Sequence, residues 1–156
     1  MEKRRSLLIL VELLWWVITA AIVWGVLYPI HQAMYVWHFQ TMNIVFIVAL
    51  VTFTRYTFLL QHTFLAYRQE LKIVFILLMF PATFMLVDGV NSFMRYIEDN
   101  TWDPFTGHLP ALAKSSIESY MWNEMLFFGV GSMIAAPVLA VRLFMSVWRT
   151  RNRGTV

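Results

Sequence analysis

Apolar residues run along this chain in four long blocks, at 6–28, 42–66, 73–95 and 119–148, parted by shorter polar stretches. A helix rises about 1.5 Å per residue, so some 20 residues bridge the roughly 30 Å hydrocarbon core of a bilayer. Each block therefore predicts a membrane-spanning helix. The stretches 44–50 and 73–80 are continuously apolar and lack the alternation of a transmembrane barrel strand, which leaves helices as the spanning structure. The expected fold class is an all-α integral membrane four-helix bundle, one transmembrane domain over residues 1–156.

The last block exceeds a straight span, so tilt, a kink or an interfacial first turn must absorb the excess. Pro81 and Pro137 predict kinks in the third and fourth spans. The predicted loops are 29–41, a tight 67–72 and a longer 96–118, and the tight one makes the second and third helices antiparallel neighbours. A signal peptide competes for the first block: Lys3, Arg4 and Arg5 precede an apolar run, and residues 19–21 are small or short. The run continues through 22–27, which favours a retained helix.

Composition agrees with a lipid solvent. The chain is 60% hydrophobic and 13% charged, where soluble domains carry about a quarter charged residues. A formal charge of +3 would suit nucleic acid only if the cations lined a face, but they gather at block ends, so no nucleic-acid partner is expected. Lys3, Arg4, Arg5, Arg68, Lys72, Arg149, Arg151 and Arg153 fall on one predicted side, and Lys114 alone lies in the opposite loops. Both ends are therefore expected in the cytoplasm, most simply across a bacterial cytoplasmic membrane. The aromatic belt agrees: Trp24, Tyr28, Tyr35, Trp37, Trp102, Tyr120 and Trp122 mark the outer side, Tyr67 and Trp148 the inner. Trp15 and Trp16 lie deeper, as packing or lipid-facing bulk.

Ionisable groups inside a span each cost about 2.5–3.5 kcal/mol on insertion scales, so each needs a partner, water or a purpose. In the inner half these are Glu12, Arg55 and His62. Glu12 lies roughly 9 Å deep and Arg55 roughly 16 Å, a gap that an arginine side chain can close. Arg55 and His62, seven apart, share a helix face. The set reads either as an ion pair stapling the first two helices or as an anion or proton site. In the outer half Asp88, Asn91 and Arg95 form an i, i+3, i+7 stripe, near Asn123 and Glu124 of the fourth span. Asp88 and Glu124 could share a cation or proton, or both lean on Arg95 and close the bundle, and the absence of a long polar path favours closure.

Gly131 with Ala135, and Ser132 with Ala136, are spaced four apart beside Gly129 and predict close helix approach, within the chain before between copies. Leu139 is read as a lipid-like contact. No catalytic residue is singled out: GxGxxG, GxSxG, HExxH and a Walker loop are all missing. Zero cysteines exclude disulfides, thiolate zinc and Fe–S clusters. His62 is the one histidine inside a span, against the two that bis-imidazole haem requires, and His31, His38 and His108 lack zinc-type spacing. No cofactor or metal is expected.

These features predict a non-catalytic subunit, scaffold or accessory factor, whose partners are the bilayer and other membrane proteins or itself. The alternatives are a small oligomeric carrier or channel built on the buried charges, and a quinone- or lipid-binding redox subunit using His62 and Arg55.

Overall fold

The structure, a computed structural model, describes residues 2–34 and 36–153, apart from the side chains of residues 2–5, 8, 64, 67 and 153. Tyr35 and the side chains of Lys3, Arg4, Arg5, Tyr67 and Arg153, assigned above to belt or topology, lie outside the described residues. The described chain forms α1 (Glu2–Ala33), α2 (Gln40–Leu59), α3 (Gln69–Asn100), a one-turn α4 (Asp103–Thr106) and α5 (Ala111–Arg153), with no strand among the described residues. The four long helices, α1, α2, α3 and α5, are long and apolar enough to cross a membrane. This is a multi-pass membrane protein with an all-α bundle. An even number of spans leaves Glu2 and Arg153 at one end of the bundle with the 60–68 connection, here the terminal end; the other is the loop end.

Threonines show how the helices tolerate polar atoms in lipid. The hydroxyls of Thr19, Thr57 and Thr83 donate to the carbonyls of Trp15, Phe53 and Met79, each four residues back, at 2.7–2.8 Å. Each is thereby satisfied without a neighbouring helix.

Helix boundaries differ from expectation in three places. α1 continues past Pro29 to Ala33, where a loop was expected. The ring deprives only the Gly25 carbonyl of its partner, at a residue that is exposed. α2 stops at Leu59, before the expected Ala66, and the chain turns through two 3-10 segments, Leu60–His62 and Phe64–Tyr67. Leu60, Thr63, Leu65 and Ala66 are buried there, so this connection tucks into the bundle. The 96–118 loop shrinks, because α3 runs on to Asn100 and α5 begins at Ala111 with the Pro110 carbonyl accepting from Lys114 N–H at 2.8 Å. Thr101 ends α3 at φ 59°. Pro81 and Pro137 lie within continuous helices and face outward.

Packing centres on α2, α3 and α5. The Phe46 ring of α2 seats between glycines of the other two: a Cβ at Gly89 would lie 3.0 Å from it and one at Gly129 3.2 Å. Gly129 would also meet Val90 at 2.6 Å and Gly131 would meet Leu50 at 3.1 Å, so the small-residue strip serves packing within the chain. Ser132 and Ala136 are fully buried, Ala135 half-buried. Leu139 is also fully buried, which corrects its reading as a lipid-like contact. α1 lies outside this trio, buried mainly through Leu27 and Ile30, with Met34 just beyond its end, near the loop end, where Tyr120 of α5 donates to the Val26 carbonyl at 2.8 Å. At that end Trp37 is buried among Phe39, Phe93 and Phe105, with ring centroids 5.1–6.4 Å apart, and so belongs to the core instead of the belt. Trp24, Tyr28 and Trp148 are exposed as belt residues should be.

Candidate functional site

Two polar centres lie inside the spans, at opposite depths. Towards the terminal end, α1 carries Glu12 and α2 carries Arg55, whose Nη2 lies 2.8 Å from the Glu12 carboxylate. Arg55 is buried, and its guanidinium sits 5.4 Å from the Trp15 ring and 5.3 Å from the Tyr56 ring. One face of the cation is thus supplied by aromatic quadrupoles and one edge by the carboxylate. Arg55 Nε and Glu12 Oε1 are buried without hydrogen-bond partners, so the contact is a charge pair and not a bidentate fork. The pairing expected from sequence is present. Trp15 is a packing group within it.

His62 does not join this centre. It is exposed in the 3-10 segment beyond Leu59, where three residues per turn replace 3.6 and rotate it off the face it would share with Arg55 in a continuous helix.

Towards the loop end, Glu124 of α5 turns inward and accepts a hydrogen bond from the amide of Asn43 on α2. Asn43 is fully buried and Glu124 7% exposed. Glu124 Oε2 and Asn43 Oδ1 are both buried without partners. The expected closure on Arg95 is absent: Asp88 and Arg95 are exposed, Asn91 is half-buried, and among the described residues none of them makes a side-chain hydrogen bond or ion pair. The stripe does share one face of α3, as its spacing requires, but that face points outward. Asn123 is exposed as well.

Among the polar contacts not expected from the sequence are those of Asn43, Lys72 and Arg142. Asn43 is uncharged and drew no attention. Lys72, expected among the cations of the inner side, is fully buried with Nζ donating to Ser146 Oγ at 3.0 Å. A signal existed, because Lys72, Met79, Leu86 and Phe93 are seven apart and all buried on one face of α3. Arg142 of α5 donates through Nε to the Thr57 carbonyl at 3.3 Å, tying α5 to α2.

The outer histidines do not converge. His31 Nδ1–H donates to the Leu27 carbonyl and His108 Nε2–H to the Ala33 carbonyl, each at 3.0 Å, while His38 stacks on Tyr96. No group of three or more metal-ligating side chains occurs among the described residues. On the loop segment, a hydrogen bond and charge from Lys114 hold the Asp103 carboxyl below its usual range. A cleft of about 540 Å³ opens between α1 and α2, its walls Trp16, Thr19, Val23, Leu27, Ile44 and Val48. It is apolar, and neither Arg55 nor His62 lines it.

Compared with known proteins, the chain matches no family model, no curated protein and no solved structure.

Proposed function

We propose that this protein is a non-catalytic subunit of a larger membrane assembly, probing no substrate of its own and docking through the outward face of α3. The observation that carries the reading is Asp88. It lies about 10 Å below Arg95 along the helix, inside the span, and it is exposed on a face shared with Phe84, Met85 and Arg95. A carboxylate facing hydrocarbon is costly, and Asp88 is too short to snorkel. A partner helix that offers a donor or cation at that depth removes the cost. Both ends are placed in the cytoplasm, across a bacterial cytoplasmic membrane, on the cation asymmetry.

The carrier or channel reading is less well supported. Asn43 and Arg55 are twelve positions apart on α2, about 18 Å, and buried Phe46 and Ile47 lie between them. Below Asp88 the outward face of α3 continues as Phe84, Phe80 and Leu77, which offers ions no path. The redox reading loses its two named residues, which stand away from the apolar cleft.

The test is photo-crosslinking in cells from a benzoylphenylalanine at Met85, with the exposed Ile134 of α5 as the control position. A discrete adduct at Met85, lost in Asp88→Leu while that variant stays folded, is the expected result; an adduct of twice the chain's mass assigns the face to a second copy. Wild type and Asp88→Leu that both remain monomeric and free of adducts would overturn the proposal.

A further inference from the structure

We propose that the Asn43–Glu124 pair is a proton-binding site, in which Glu124 is held as the neutral acid and joins Asn43 in a two-pronged acid–amide pair. The argument is a count of donors and acceptors. The Asn43 amide donates to Glu124 Oε1, which leaves Asn43 Oδ1 and Glu124 Oε2 buried and unpartnered. Both remaining atoms are acceptors when the carboxylate is ionised, so they repel and neither can satisfy the other. One proton on Oε2 converts it into a donor, and Oδ1 is the acceptor it requires. Amide and carboxyl are planar forks of matching width, so a second prong can form beside the first.

Among the described residues, no other side chain hydrogen-bonds or ion-pairs with these two. The nearest ionisable groups before and along α2 are His38, exposed and stacked on Tyr96 ahead of the helix, and Arg55, about 18 Å further along it. On α3, Asp88 and Arg95 face outward. On α5, Glu118 accepts from Thr106, and Tyr120 donates its hydroxyl to the Val26 carbonyl of α1. The described residues of α1 bring His31, bonded to its own helix, and Glu12, paired with Arg55. Buried Phe46, Ile47, Met121 and Met125 fill the same faces of α2 and α5. An ionised carboxylate here would rest on one amide donor among apolar side chains, which is the costly arrangement. A metal cation would need more oxygens than these two, since hard cations take six or more.

Glutamine reproduces both hydrogen bonds of the neutral acid, its carbonyl accepting and its amide donating, with one N–H to spare. The site is therefore tested on the full chain in lipid nanodiscs. Infrared difference spectra between wild type and Glu124→Gln at neutral pH should show a protonated carboxylic-acid carbonyl band in the wild type alone. Glu124→Gln should melt at the wild-type temperature, whereas Glu124→Ala should melt lower. Loss of carboxylate bands in place of the acid band in Glu124→Gln would overturn the proposal. Sodium ions that raise the wild-type melting temperature but not that of Glu124→Gln would also overturn it, in favour of a cation site.

Discussion

Arg55 shows how an isolated residue forces the contacts around it. Its guanidinium carries a charge, so within a span it must find a carboxylate, and Glu12 is the acidic residue of the terminal half within its reach. Removing one partner strands a buried charge and is expected to cost about 3–5 kcal/mol, while removing both costs far less. Glu12→Gln with Arg55→Gln should thus unfold later than Arg55→Gln alone in detergent or denaturant titration. Additive losses around that cycle would refute the coupling. The pair was legible in the sequence because charge in lipid is expensive enough to dictate its neighbourhood. Asn43 was not, because an amide carries no charge and its burial at 0% exposure follows from its phase with Phe46 and Ile47, three and four residues on. Asp88 and Glu124 illustrate the remaining ambiguity. Both are acidic and lie at similar depth, yet one faces out and one faces in, a difference set by helix rotation that composition does not encode.

Among the elements, glycine placement controls how closely α2, α3 and α5 approach. A methyl group at Gly129 would fall 2.6 Å from Val90, a buried β-branched side chain with little freedom to move, while one at Gly131 would meet the flexible end of Leu50 at 3.1 Å. Gly129→Ala is therefore expected to destabilise by about 1–3 kcal/mol and Gly131→Ala by less. Leu139→Ala, at a fully buried position, should lose about 2–5 kcal/mol through the cavity it leaves. Thermal melts of the three variants in one detergent check the order, and a Gly131→Ala loss that exceeds Gly129→Ala would contradict the packing described. The existence of all four spans was readable from block length alone. Their ends were not, since α1 and α5 extend beyond the apolar blocks on residues that tolerate helix as well as loop, and the 60–68 connection depends on tertiary contacts made by the buried Leu60 and Leu65.

At the scale of the whole molecule, α5 has 43 residues and is about 65 Å long, twice what the hydrocarbon core requires, so it overhangs the bilayer. The overhangs carry Lys114 and Glu118 at one end and Arg149 and Arg151 at the other. This charge arrangement makes the orientation testable by labelling, and a chain with no cysteine is well suited to it. Single cysteines at Pro104, within the one-turn α4, and at Asn152, near the end of α5, both occupy exposed positions. If the cation-rich end faces the cytoplasm, Pro104→Cys should react with a membrane-impermeant maleimide in intact cells, and Asn152→Cys only after permeabilisation. A third cysteine at Gln61, exposed in the connection between α2 and α3, should behave as Asn152→Cys does, because four spans place it on that same side. The reverse pattern would invert the orientation and leave the bundle intact. A split in which Gln61→Cys and Asn152→Cys differ would mean that α3 and α5 do not both cross, and would undo the four-span architecture itself.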